Sequence, residues 1–301
     1  MTFRILAVLG LLFSYSNVAA QVKVVTTTSN GADLVKQVGG DKVDVYSLTK
    51  GTQDPHYVDA KPSYIMKVAR ADLLVSVGLE LEGAWLPSVL SGARNSSLMP
   101  GAKGSLILGK HISPIDVPTK NLSREHGDVH PGGNPHFLLD PIRAGDLALV
   151  VAKKLTELDR KNARFYQDNA FQFKKELTEM SKSWQKQVKA SGIKTVFTYH
   201  KTLAYFLKRM GVKAAASIEP KPGIPPTARH ILSLVRISKS KNVRLTLVES
   251  LFDASPARKI QKENPAMKIQ KVPVAVGAYS NVNSLKSLYR ELAASFSKAE
   301  G

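Results

Sequence analysis

The strongest constraint in this chain is a rhythm. Short β-branched runs alternate with segments of helical periodicity, and the pattern occurs twice with a long helical stretch between. Val22 to Thr28 is rich in Val and Thr and predicts a strand. Ser29-Asn30-Gly31 punctuates it, and Ala32 to Val38 predicts a helix. A strand over Val43 to Leu48, a helix over Pro62 to Arg70 and a strand over Leu73 to Val77 follow. The second set predicts strands over Thr195 to Tyr199, Ala214 to Ile218, Leu245 to Val248 and Val272 to Val276. Its predicted helices cover Leu203 to Met210, Thr227 to Ser238, Ser255 to Glu263 and Ser284 to Ser297. Strands that alternate with helices need a parallel sheet covered on both faces. The expected fold is therefore α/β, with two lobes that each carry a parallel sheet.

Between the two sets, Pro141 to Leu158 and Asn162 to Ala190 both show helical spacing of apolar residues. The second places Phe165, Phe173, Leu177, Met180 and Trp184 among charged residues. As one helix it would be a rod of about 43 Å at 1.5 Å per residue; as two, it would bend. Asn121 to Asn134, rich in Gly, Pro and His, reads as a loop. The expected organisation is a leader over 1–20, an N-terminal lobe over 21–158, a connecting helix over 159–190 and a C-terminal lobe over 191–301. Ligands in such sheets sit beyond the carboxyl ends of the strands, and a cleft between lobes suits them.

Met1 to Ala20 has Arg4, an apolar run from Ile5 to Phe13 and Val18-Ala19-Ala20, the pattern of a secretory signal peptide. The apolar run is shorter than the roughly 20 residues a membrane span requires. The sequence contains no cysteine, so the reading expects a periplasmic protein without a lipid anchor, and any metal site must use His, Asp and Glu. Net charge is +19, and loss of Arg4 with the leader leaves +18. The basic residues are spread along the chain without interleaved aromatics, which excludes a nucleic-acid platform and reads as a solubilising surface.

Seven histidines are present. Three stand at element ends: His56 in Asp54-Pro55-His56, His136 in Asn134-Pro135-His136, and His200 directly after the strand over Thr195 to Tyr199. Proline before two of them restricts the backbone. Their spacing matches neither a zinc-protease helix nor a zinc finger. His126, Asp128 and His130 lie in the polar loop and read as solvated, and His111 and His230 carry no assigned role.

The chain resembles the solute-binding proteins of zinc, manganese and iron ABC transporters, of the helical-backbone type (cluster A-I), and within them the zinc-binding branch. The likeness spans essentially the whole chain after the leader. It is carried by Val24 to Thr28, Asp54-Pro55-His56 with Lys61-Pro62-Ser63, and Ala71-Asp72-Leu73 with Val77-Gly78-Leu79-Glu80 and Trp85-Leu86. Asn134 to Pro141, Tyr199-His200, Tyr205-Phe206, Gly211 and Val248-Glu249 complete it. The resemblance implies two α/β lobes joined by one long helix, a metal in the interlobe cleft, and a membrane permease as partner to a monomeric binding protein. It carries the ligand role onto His56, His136 and His200.

One departure matters. Many relatives place an aspartate after the final strand as a fourth ligand, whereas Val272 to Asn281 here holds no carboxylate. Water or Glu249 then stands for the fourth place, and Glu249 alternatively orients His200. Three imidazoles without a carboxylate favour Zn²⁺ over Mn²⁺. Two rival readings remain at this level: a zinc hydrolase using a metal-bound water with Glu249 as base, and an envelope-surface adhesin suggested by the positive charge.

Overall fold

Apolar, β-branched strands buried on both faces dictate where the two sheets form. In the computed structural model, which describes residues 21–118, 130–221 and 223–298, Val22–Thr26 (β1), Val43–Ser47 (β2), Leu73–Ser76 (β3) and Ser105–Ile107 (β4) make one parallel sheet in the order β2-β1-β3-β4. Thr195–Thr198 (β5), Lys213–Ser217 (β6), Leu245–Glu249 (β7) and Lys268–Val272 (β8) make the second, in the order β6-β5-β7-β8. The central strands β3 and β7 are buried at every position, while the edge strands β6 and β8 are half exposed. Both sheets share one topology, so each has its switch point between the second and third strands in space, β1/β3 and β5/β7. The expected leader over 1–20, with His126 and Asp128, lies outside the described residues.

The helices are Ser29–Gly39 (α1), Pro62–Ala69 (α2), Leu86–Ala93 (α3), Pro141–Leu158 (α4), Ala163–Ala190 (α5), Ala204–Met210 (α6), Ala228–Ser240 (α7), Ser255–Glu263 (α8) and Leu285–Ser297 (α9). Local chemistry sets their starts. The Thr28 hydroxyl accepts the Gly31 N–H at the head of α1, and Asp140 accepts the Ile142 N–H where Pro141 opens α4. Ser284 and Ser287 form a reciprocal capping box at α9.

The long central segment is one helix of 28 residues. Its buried residues are Tyr166, Ala170, Phe173, Leu177, Ser181, Trp184 and Val188, spaced three or four apart, so a single stripe faces inward along its length. That stripe meets α1 and α4 from the first lobe and α9 and α6 from the second. The result is one continuous apolar core that runs from Val22 and Leu73 through Leu177 to Leu245 and Phe296. Smaller cores lie under the outer helices: Leu48, Val68 and Val89 beneath α2 and α3, and Phe197, Leu234 and Ile260 beneath α7 and α8.

One sequence reading needs correction, and two elements went unread. The strand expected over Val272 to Val276 is β8, Lys268–Val272. Pro273 lacks the N–H that a ladder needs, so the ladder stops before it. The strand β4 and helix α3 carry no clear signal because one has three residues and the other opens on Leu86-Pro87.

Polar contacts lock the lobes beside the site. The Asn30 amide donates to the Val274 carbonyl and its oxygen accepts the Val276 N–H, at 3.1 and 2.8 Å. Tyr205 donates to the Asn134 carbonyl at 2.8 Å, and Arg209 grips Asp140 through two bonds of 2.8 and 2.9 Å. At Gly51 an added Cβ would lie 2.2 Å from the Val276 carbonyl oxygen, so only glycine allows the two chains to approach this closely.

Because one core serves both lobes, Leu177→Ala at the middle of the stripe is expected to cost about 2–5 kcal/mol. Urea unfolding followed by circular dichroism should show a lower midpoint in a single transition; a separate early phase would mean that the lobes have independent cores.

Candidate metal centre

The carboxyl ends of the two sheets face each other across a cavity of about 320 Å³ lined by Asn30, Asp54, His56, His136, His200 and Glu219, among others. Both switch points open into it, since Thr28 follows β1, Val77 follows β3, His200 lies two residues beyond β5 and Leu251 follows β7.

Each histidine is held by its local sequence. His56 sits on the β2–α2 connection, where its N–H donates to Asp54 at 3.0 Å and the Trp85 indole donates to the Pro55 carbonyl at 2.9 Å. His136 follows Pro135, its N–H donates to the Asn134 side-chain oxygen at 3.0 Å, and the short turn Phe137–Leu139 leads into α4. His200 continues the line of β5 and is buried. The structure brings the three together: one ring nitrogen of each lies within 4.8 Å of the others. Their rings meet edge to face, with centroids 5.3 to 5.8 Å apart.

Two carboxylates fix the tautomers. His56 Nδ1 lies 2.7 Å from Asp54 Oδ1, and His200 Nδ1 lies 2.8 Å from Glu219 Oε2. An ionised carboxylate only accepts, so each Nδ1 carries a proton, and in the neutral ring the lone pair lies on Nε2. Burial works to raise the Asp54 carboxyl, but the bond and charge of His56 outweigh it and hold the group below its ordinary range. At His136, burial and the neighbouring His56, His200 and His130 all oppose protonation and hold the imidazole neutral well below its ordinary range. Its Nε2 is sealed from solvent and has no hydrogen-bond partner among the described residues. A lone pair left unsatisfied in a polar cavity fits a cation.

Glu249 does not join them. Expected as a fourth ligand, as the acceptor for the His200 ring or in plain structural use, it takes the last role and accepts the backbone N–H groups of Tyr199 and His200, both at 3.2 Å. It is fully buried and lies outside the cavity lining. The ring acceptor is Glu219, which the sequence reading passed over. Its signal is position: it lies two residues beyond β6, at the same sheet end as His200. His130, read as part of a solvated loop, also stands here, its Nε2 3.1 Å from that of His56. His111 and His230 lie elsewhere, His230 against the Ser217 carbonyl.

Two parallel sheets, a spanning helix and a cluster of buried and half-buried imidazoles between them fit a solute-binding protein for a metal ion. The family model for ZnuA, the periplasmic component A of zinc-uptake complexes, matches residues 24–299, and the chain belongs to that family. Among its relatives, the manganese ABC transporter substrate-binding lipoprotein PsaA of Streptococcus mitis is 28% identical over 250 residues, 81% of this chain and 77% of the relative. The metal ABC transporter substrate-binding lipoprotein FimA of Streptococcus parasanguinis is 26% identical over 255 residues, 83% of this chain and 79% of the relative. A crystal structure of a ZnuA deletion mutant with zinc bound superposes with a TM-score of 0.76 at 20% identity, over 94% of this chain and 99% of that one. The laminin-binding protein Lmb of Streptococcus agalactiae, described as bifunctional with adhesin and metal transporting activity, gives 0.73 at 25% identity, over 91% and 99%.

The protein is thus the metal-binding component of an ABC transporter, working with a membrane permease, and not an enzyme. The hydrolase reading falls with that, and the base it required is committed to backbone amides. The expectation of a periplasmic protein without a lipid anchor is corrected: FimA, PsaA and SloC are named lipoproteins, proteins that acyl chains hold at a membrane surface. That expectation rested on the leader pattern, which lies outside the described residues, and on the absence of cysteine.

Burial pushes the Glu249 carboxyl up to about 8, against the bonds from Tyr199 and His200 that favour its ionised form. A carboxyl raised in the folded state makes folding most favourable below its unfolded value, 4.5, and less so as pH rises toward 8. Glu249→Gln removes this titration. The variant should therefore gain on the parent by a few kcal/mol, roughly 1.4 per pH unit, between pH 5 and pH 9. Thermal melts across that range check it, and a constant difference would refute it.

Proposed function

We propose that the transported ion is held by His56, His136 and His200 and that it is Zn²⁺. The observation that carries this reading is the buried, unpartnered Nε2 of His136 beside two imidazoles whose Nδ1 protons are already committed to Asp54 and Glu219. A set of nitrogen donors supports Zn²⁺ over Mn²⁺, which prefers oxygen. PsaA is named for manganese, so the donor set, and not the relatives' names, argues for zinc. Asp54 and Glu219 add two negative charges one bond removed from the donors, which balance a divalent ion in a poorly solvated gap.

Residues 21–158 and 191–301 act in this reading as two jaws held at fixed separation by the segment 159–190. Fixed jaws keep the three nitrogens converged before the ion arrives, so little ordering entropy opposes capture.

Calorimetry on metal-stripped protein should show one Zn²⁺ per chain. His136→Ala should weaken Zn²⁺ by about two orders of magnitude or more, because a ligand is lost rather than an orienting partner, whose loss alone costs about 10–100-fold. Mn²⁺ in excess should not displace Zn²⁺. Unchanged affinity in the variant, or displacement by Mn²⁺, defeats the assignment. Affinity should also fall as pH falls, because protons compete with the ion for imidazole nitrogens.

Glu219→Ala leaves the ligand set intact but frees the His200 ring. The expected loss is about 10–100-fold in Zn²⁺ affinity with the same stoichiometry. A variant that binds like the parent would show that Glu219 has no orienting part.

A further inference from the structure

We infer that His130 supplies a fourth imidazole to the bound ion, closing the centre from the loop side. The inference rests on the reading of His56, His136 and His200 as ligands and specifies what completes their set.

Geometry is the first ground. His130 Nε2 lies 3.1 Å from His56 Nε2. Two nitrogens that share a tetrahedral Zn²⁺ at about 2.0–2.1 Å stand about 3.3 Å apart, so the pair is already close to the edge of a coordination tetrahedron. The His130 ring centroid is 5.2 Å from that of His56 and 6.4 Å from that of His136, the second contact perpendicular. His130 is not within the tight set that includes His200, so ligation asks it to move inward from its present place.

Its support is built into the chain. Gly133 donates to the His130 carbonyl at 2.9 Å and has a φ of 98°, a left-handed turn that returns the chain toward His136. The residue after that turn, Asn134, is pinned from both lobes. Its N–H donates to Ile115, its side chain donates to the Lys201 carbonyl, and its carbonyl accepts from Tyr205. The turn therefore holds His130 next to the cluster.

Elimination is the second ground. Among the described residues, Asp54 and Glu219 already accept from ligand rings, and Glu249 is turned onto the backbone. The stretch from Pro273 to Asn281 has no carboxylate to offer. Charge agrees. A divalent ion is already balanced by Asp54 and Glu219, and a neutral imidazole keeps that balance where a further carboxylate would leave net negative charge in a low-dielectric gap.

The test uses the full chain with Zn²⁺ alone as the probe. X-ray absorption of the Zn²⁺-loaded parent should count four imidazoles, falling to three in His130→Ala. The same variant should bind Zn²⁺ more weakly by about two orders of magnitude or more, beyond the 10–100-fold that an orienting partner costs, while its metal-free melting temperature stays at the parent value. Three imidazoles in the parent, or equal affinity in a folded His130→Ala, overturns the role of His130 and leaves the three-histidine reading standing. Should His136→Ala also bind like the parent, the underlying reading fails instead. If His130→Ala does not fold, the imidazole count in the parent decides alone.

Discussion

The site depends on the apolar seam along α5. Three imidazoles from distant parts of the chain converge only if two separate sheets keep a fixed distance, and the sheets themselves share no strand. What they share is the helix whose stripe runs from Tyr166 to Val188, packed on α1 and α4 from one lobe and on α9 and α6 from the other. Interiors packed this closely have few alternative arrangements, so the seam resists sliding. The bonds from Asn30, Tyr205 and Arg209 then fix the rotation that the seam alone would leave free. Tyr289 adds one more, donating from α9 to the Leu138 carbonyl two residues beyond His136.

Each lobe also solves the same local problem in the same way. A parallel sheet leaves backbone N–H groups unpaired where the chain leaves its central strands, and at a buried cleft water cannot satisfy them all. In the first lobe Glu82 accepts from Val77, Gly78 and the Thr27 hydroxyl. In the second Glu249 accepts from Tyr199 and His200. Both carboxyls are raised by burial, the cost of placing an acid where it can satisfy several amides. This accounts for a glutamate at the end of β7 without giving it any contact with the ion. It also explains why the sequence misleads there: a carboxylate next to a ligand histidine in a cleft reads as a ligand, and only the direction of its side chain separates the two roles.

The fold was legible in the sequence to the extent that burial was uniform. β7, buried throughout, and the stripe of α5 announce themselves by apolar period. Edge elements do not, because Lys268 to Val272 is half exposed and reads as weaker than the more apolar Pro273 to Val276, which cannot pair. At the site, His56, His136 and His200 were legible from their places at element ends together with family likeness. Glu219 and His130 were not, since what brings them in is three-dimensional. Glu219 reaches His200 across neighbouring strands, and His130 returns through a turn that depends on the φ of Gly133.

Selectivity follows from how the nitrogens are prepared. Imidazole binds a proton as well as a metal, so a site of histidines has to keep protons off without keeping the ion out. Asp54 and Glu219 fix one proton at Nδ1 of His56 and His200, so the lone pair of each neutral ring lies on Nε2. His136 keeps protons off by burial among other imidazoles, which makes a second positive charge there costly. A divalent ion overcomes that cost because it meets several lone pairs and two outlying carboxylates at once, whereas a proton meets only one lone pair. In the proposed site an oxygen-seeking ion gains least from the exchange, for Asp54 and Glu219 each already accept an imidazole proton.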